Sequence, residues 1–361
     1  MRRVLSAIVV TLALLGAGVS FAETLRLATY HTELGQKGPG VLISKILKGD
    51  EQVLAVVEVI AEARPDVLVL IGIDWDMGGH ALAALAERLA EKGLDYPHRF
   101  ARLPNAGLQS GLDLDGNGKL NEARDAHGYG RFTGAGGMAV LSRLPFGEVR
   151  DFSAFLWSDL PGAIPPEVGG APFPSAEAAA ARRLSSVVHW DVPVETGSGP
   201  LHLLAFAATT PIYDGDEDLN GRRNHDEILF WQRLLDGTLP FSPPEGPVVV
   251  IGTANLDPFD GAGRHEAIRG LLEDPRFADP MPSSPGGEAG ATPGHRGDPG
   301  LDTADWRDPS PGNLRIDYVL PDVRLDVTDA GVVWPAPEEA FTETVLEASR
   351  RRLVWVDINL D

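Results

Sequence analysis

Two β-sheets packed face to face, with helices on their outer faces, form the α/β fold class that this sequence predicts. Three features point to it. The stretch Leu25-Arg26-Leu27-Ala28-Thr29-Tyr30 alternates apolar and polar residues, as a half-buried strand does. The unbroken apolar run Val67 to Ile71 reads as a strand buried on both faces. Further short strand-like runs follow along the chain with only a few helical patterns between them, which suits a sheet-rich α/β domain better than a doubly wound nucleotide-binding sheet.

Taken in order, the chain opens with Arg2 and Arg3, an apolar run from Ala7 to Leu15, and small residues ending at Ser20-Phe21-Ala22. This is the pattern of a cleavable secretory signal, and the apolar run is too short to span a bilayer comfortably. Residues 1–22 are therefore expected to be removed on export, to the periplasm or the medium, with the mature chain starting near Glu23. Asp50 is placed to cap a helix whose apolar residues Val53, Leu54, Val56, Val57, Ile60 and Ala61 share one face. A second helix is expected from His80 to Glu91, ahead of Gly93. Strands are expected at Gly137 to Ser142, Leu184 to Val194, Leu201 to Ala207, Val248 to Gly252, Leu314 to Leu320 and Leu353 to Ile358. Helices are expected at Asn224 to Leu235 and His265 to Leu272. The Pro- and Gly-rich stretches Pro161 to Pro174 and Asp279 to Pro311 read as long surface loops. No repeat of fixed period is evident, so residues 23–361 are read as one domain.

Composition narrows the function. No later segment approaches the run of apolar residues that a membrane helix needs, so no integral membrane association is expected of the mature chain. The chain has 361 residues and no cysteine, which excludes thiol catalysis and disulfides. Its net charge of -21 becomes -23 when Arg2 and Arg3 are removed. That charge repels polyanions and makes nucleic acid an unlikely partner.

Six strings occur in order along the chain: Ala28-Thr29-Tyr30-His31-Thr32-Glu33-Leu34, Pro65 to Asp76, Gly137-Met138-Ala139-Val140-Leu141-Ser142-Arg143, Asn220-Gly221-Arg222-Arg223-Asn224-His225-Asp226-Glu227, Gly252 to Gly261, and Arg315-Ile316-Asp317-Tyr318-Val319-Leu320. Together they resemble the secreted branch of the endonuclease/exonuclease/phosphatase superfamily, the fold of deoxyribonucleases and sphingomyelinases. The resemblance covers nearly all of the mature chain and implies a four-layer α/β sandwich, two packed mixed sheets with helices outside. It also implies phosphoester hydrolysis with a divalent metal, usually magnesium. Such chemistry needs hard oxygen ligands, an oriented water, and donors for the charge that builds on phosphorus.

The same resemblance shows where this chain departs. His31 stands where the first strand of active members ends in Asn. Gly72 stands where a Glu is the main metal ligand, and Ala207 where a His faces the phosphate. In the motif Gly-Asp-x-Asn, the Asp that orients water is replaced by Thr253, while Asn255 is kept. The closing Ser-Asp-His reads Ser349-Arg350-Arg351, and Asp317, which supports that His in active members, is kept. Gly72 and Thr253 offer no carboxylate, and Arg350 and Arg351 repel a cation. Losses within one catalytic unit are not additive, so one can remove most of the rate.

Two readings follow. One is an exported, catalytically silent member whose rebuilt pocket binds a small anion or a protein partner. The other is a hydrolase using His31, Asn255 and relocated acidic ligands, in which case magnesium is retained. An ion pair between Asp317 and Arg351 is expected to fill the old site, leaving Arg350 and His31 to make the pocket locally positive.

A separate stretch, Asp113-Leu114-Asp115-Gly116-Asn117-Gly118-Lys119-Leu120-Asn121, follows the oxygen spacing of a calcium loop, with Gly118 at the sharp turn. Asp113, Asp115, Asn117 and Asn121 are its candidate ligands for a structural calcium. Arg124 takes the position of the closing Glu, for which Glu122 or Asp125 is the substitute. The nine His show no close zinc spacing, and His225 reads as a structural hydrogen-bonding residue. Trp75, Trp157, Trp231, Trp306 and Trp355 are core aromatics by default.

Overall fold

The computed structural model describes residues 23–360; the signal segment expected at residues 1–22 lies outside them. Along the chain run β1 (Glu23–His31), α1 (Val41–Lys48), α2 (Glu51–Ala63), β2 (Val67–Ile73), α3 (His80–Glu91), β3 (His98–Phe100), β4 (Gly137–Ser142) and β5 (Arg150–Asp151). After the small β6 (Glu167–Val168) and β7 (Ala171–Pro172) come α4 (Ala176–Ala181), β8 (His189–Thr196), β9 (Gly199–Ala207), α5 (Leu219–Leu235) and β10 (Val248–Thr253). The remainder holds α6 (Glu266–Leu272), α7 (Pro285–Ala289), β11 (Asp317–Pro321), β12 (Asp326–Val332), α8 (Phe341–Ala348) and β13 (Val354–Leu360).

Two mixed sheets result, one ordered β12-β13-β1-β2-β4-β3 and the other β11-β10-β9-β8-β5. Their inner faces meet through Leu27, Val67, Val69 and Val140 on one side and Trp190, Val192, Leu203, Val249 and Ile251 on the other. Leu68 and Leu70 point outward, where α1, α2, α3 and α8 cover them. Leu204, Phe206 and Val250 are covered by α5 and α6 in the same way. Four layers thus follow from period-2 strands that are apolar on both sides.

Each sheet holds one parallel pair. β1 pairs with β2 so that His31 faces Ile71, and β9 pairs with β10 so that Ala207 faces Thr253. β11 runs antiparallel to β10 and sets Asp317 opposite Thr253. Parallel strands bring their carboxyl ends to one edge, so His31, Gly72, Ala207 and Thr253, distant in sequence, arrive at one end of the sandwich.

Several expectations need correcting. β1 is central rather than half-buried, since Ala28, Thr29 and Tyr30 are all enclosed by sheet neighbours and helices. Asp50 precedes α2 but makes no side-chain cap; it pairs with Lys45 at 3.3 Å. The strand expected from Leu184 starts at His189. Upstream backbone is held instead by α5 side chains, with Arg223 donating to Leu184 O (2.8 Å) and Ser185 O (2.9 Å), and Glu227 accepting Ser186 N (2.5 Å). The Asp279 to Pro311 stretch is not a surface loop throughout: Asp302, Thr303 and Ala304 are buried and enter the site region.

Candidate functional site

The site is built from β-strand ends and the Ser349-Arg350-Arg351 turn between α8 and β13. Ser349 Oγ donates to His31 O at 2.9 Å, and Arg350 N donates to Glu33 Oε2 at 2.8 Å, which stitches the turn to the end of β1. This docking sends Arg351 inward. Its Nη1 donates to Thr253 Oγ1 (2.9 Å) and to Asp317 Oδ1 (3.3 Å), while Nη2 donates to Asn255 Oδ1. The guanidinium also lies 5.2 Å from the ring centroid of Trp306. The expected Asp317–Arg351 pair is therefore present, and both residues are buried.

Asp317 is held from a second side by Thr303 Oγ1, which donates to its Oδ2 at 3.2 Å. Burial lifts the Asp317 carboxyl above its ordinary range, and Arg351 draws it part of the way back. Asn255 sits in the left-handed region at φ 51° and donates its Nδ2 to Ala208 O at 2.7 Å, leaving Oδ1 for Arg351. Ala207, at the end of β9, presents only a methyl group and is buried.

On the other sheet, Gly72 has φ +70°, and a Cβ placed on it would lie 2.6 Å from His31 Cε1. The imidazole thus occupies the space a side chain at 72 would need. His31 is neutral, its pKa pushed down to about 3 by burial first and then by the charge of Arg351.

The expected local positive charge is absent. Arg350 Nη2 donates to Glu33 Oε1 at 2.5 Å, and these groups line an open hollow with His31, Gly72 and Gln52. Burial alone would raise the Glu33 carboxyl, but the hydrogen bonds and charge of Arg350 carry it below its usual range. The hollow therefore holds a balanced pair and a neutral ring. Glu33 lies in the Ala28 to Leu34 string, but the left-handed conformation (φ 52°) that turns it back to meet Arg350 carried no sequence signal.

The acidic loop is assembled in part as expected. Asp113 and Asp115 converge with Asp125, one carboxylate oxygen of each lying within 4.8 Å of the others. Asn117 instead turns its Nδ2 to Asp115 Oδ2 (3.1 Å) and Glu122 Oε2 (2.7 Å), and Asn121 is a left-handed turn residue at φ 65°. Beside this loop lies a cavity of about 530 Å³ whose wall includes Arg124, Arg182, Arg223, Tyr129 and Tyr213. Arg182 is buried; it donates to Leu114 O, and its Nε has no partner. Burial and the nearby Arg223 push its pKa down to about 9. His225 bonds Asp226 Oδ1 through Nδ1 at 2.8 Å, while Trp157 Nε1 donates to Asp226 Oδ2 at 2.6 Å.

This arrangement of two sheets with loops converging at strand ends is that of phosphoesterase-fold proteins. A family model described as "Endonuclease/Exonuclease/phosphatase family" matches residues 41–344, and the chain belongs to that family. Among solved structures, an endonuclease/exonuclease/phosphatase from Beutenbergia cavernae is similar at 23% identity and TM-score 0.54, covering 93% of this chain and 72% of that one. A family protein from Leptotrichia buccalis matches at 13% identity and TM-score 0.53, covering 93% of this chain and 100% of the other. Sphingomyelinase C from Streptomyces griseocarneus matches at 16% identity and TM-score 0.49, covering 93% and 100%. No curated protein matches the chain in sequence. Among the described residues, no helix is long and apolar enough to cross a membrane.

Proposed function

We propose that this chain is an exported member of the family that binds rather than cleaves. The observation that carries the reading is Arg351, whose guanidinium is bound at once to Thr253, Asn255 and Asp317. Magnesium does not fit such a centre. A cation placed among these groups would meet the guanidinium, and Gly72 has neither a carboxylate nor room for one beside His31. Removing the guanidinium would leave Asp317 buried and unpaired, a loss of about 3–5 kcal/mol, so the centre is held in its present form.

With Arg350 committed to Glu33, the ligand site moves to the neighbouring cavity. There Arg182, whose Nε has no partner, supplies buried positive charge in a wall that also carries Asp115, Asp214 and Glu217, and Tyr129 and Tyr213 supply surface for the body of a small organic anion or an acidic side chain of a protein partner. Export is part of the same reading: β1 begins at Glu23, paired with Leu360, so cleavage after Ala22 leaves the first sheet whole. The acidic loop at Asp113, Asp115 and Asp125 is assigned one structural calcium beside that cavity.

The test is a screen of the mature protein against simple phosphodiesters and phosphomonoesters with magnesium, manganese or calcium. We expect no metal-dependent turnover above that of a variant with Asn255→Ala and Asp317→Ala. Turnover well above that variant would overturn the reading. In the same preparation, inorganic phosphate should bind by calorimetry and lose affinity in Arg182→Gln.

A further inference from the structure

Asp302 presents a problem that neither the old site nor the cavity explains. Its side chain is fully buried, and neither carboxylate oxygen has a hydrogen-bond partner. A carboxylate so placed is costly unless it takes up a proton or pairs with a cation. Beside it stands His295, whose side chain is 6% exposed and whose Nε2 also has no hydrogen-bond partner. That nitrogen lies 3.6 Å from Asp302 Oδ1 and 3.7 Å from Asp260 Oδ2, so the ring stands between two acids.

The two acids differ. Burial alone would raise the Asp260 carboxyl, but the hydrogen bonds of Gly297 N (2.8 Å), Arg296 N (3.1 Å) and Arg296 Nε (3.3 Å) carry it below its usual range, and it stays ionised. Asp302 has no such donors. The other charges that face it are Asp257 and Asp260 from the turn after Asn255 and Asp298 from its own segment, all negative. Burial first, and then those charges, push its carboxyl up to about 8.

Asp302 also heads a strap, residues 302–305, that lies against the centre next door. Thr303 Oγ1 accepts Ile316 N (3.0 Å) and Asp317 N (3.1 Å) and donates to Asp317 Oδ2 (3.2 Å). Thr303 O accepts Arg352 N, and Asp305 N donates to Arg350 O, both at 2.8 Å. The strap therefore grips Asp317 and the turn that carries Arg350 and Arg351. Trp306, at its end, lies against the Arg351 guanidinium.

We propose that Asp302 and His295 hold one proton between them and that this proton latches the strap, so that its loss to water in mildly alkaline solution loosens residues 302–305 and the Ser349-Arg350-Arg351 turn. Once the proton has gone, the imidazole is neutral and Asp302 is a buried anion facing three acids. Hydrating that charge requires the backbone around it to open. The strap belongs to no strand of either sheet, so it is the part that opens at least cost. The device does not depend on whether the centre binds or cleaves anything.

The experiment titrates the mature protein from about pH 6 to about pH 9, well below its melting temperature. Trp306 emission, isolated from the other Trp by subtracting the Trp306→Phe protein, should move to longer wavelength with a midpoint at about pH 8. Asp302→Asn, uncharged throughout, should abolish the movement. Linkage gives a second readout. A proton kept by the folded chain and already lost by the unfolded one makes stability fall as pH rises, by up to about tenfold in the folding equilibrium per pH unit. The melting temperature of Asp302→Asn should therefore gain on that of the parent from about pH 6 to about pH 8 and then level off. A constant difference over that range overturns the held proton. A growing difference with Trp306 emission unmoved overturns the latch. Should Asp302→Asn fail to fold, the parent decides: no emission change near pH 8 that is lost in Trp306→Phe also overturns the proposal.

Discussion

A Cβ on Gly72 would meet the His31 ring at 2.6 Å, and the backbone there has φ +70°, where an L side chain is strained. In the terms of the family resemblance, the two departures expected at positions 72 and 31 would then be one change, because the His31 ring fills the space that a side chain at 72 would occupy. Gly72→Glu alone should cost roughly 1–3 kcal/mol through strain at positive φ, with overpacking against His31 adding to it. It should confer no magnesium binding. Adding His31→Asn should recover part of the loss, so that the two substitutions are non-additive in urea denaturation. A Gly72→Glu protein as stable as the parent would show that the ring moves freely aside. The Asp317–Arg351 pair was legible through the family resemblance, which puts Arg351 where active members carry the His that Asp317 supports. That Arg350 is spent on Glu33 was not, because it depends on a left-handed Glu33 curling back from the end of β1.

At the scale of elements, strands with unbroken apolar runs were the most legible. β2, β4 and β10 fall where the runs predicted, because central strands are apolar on both faces and nothing else of that length is. α3 matches for a related reason, its apolar residues recurring on one face before Gly93. α1, β12 and α8 were missed: α1 and α8 are single short amphipathic segments, and β12 is a largely exposed edge strand whose polar side chains hide the pattern. Residues 105–133, between β3 and β4, were legible only at their acidic core. There Asp125 is fixed by accepting Leu114 N at 3.0 Å and Glu122 N at 2.9 Å, so two carboxylates are brought to a third that is already in place. Calcium should raise the melting temperature, with a gain of about 2.7 kcal/mol when its free concentration is about 100 times the dissociation constant. Asp113→Ala combined with Asp115→Ala should abolish that rise. The effect should also weaken as pH falls into the carboxylate range, since protonated ligands do not coordinate. An unchanged melting curve in calcium, with none found by elemental analysis, would reduce the loop to a polar turn.

For the molecule as a whole, 52 acidic residues stand against 31 basic ones, and the excess is spread over a single four-layer body. Two electrostatic effects then oppose each other. Close pairs such as Arg26–Asp357 at 2.7 Å and Arg315–Asp279 at 2.6 Å stabilise the fold, while the excess negative charge repels itself over longer distances. Salt separates them, because screening at about 0.1 M acts over roughly 10 Å and weakens long-range repulsion more than contacts that are partly buried. Raising sodium chloride from about 10 mM to about 300 mM should therefore raise the melting temperature, by roughly 2 °C for each kcal/mol of repulsion relieved. A fall would mean that exposed ion pairs dominate. The same field bears on partners: double-stranded DNA should not be retained even at low salt, where counterion release makes any electrostatic binding strongest. Retention that falls steeply with salt would reveal a local basic surface strong enough to overcome the net charge, and would return nucleic acid to the set of ligands for the cavity bordered by Arg124, Arg182 and Arg223.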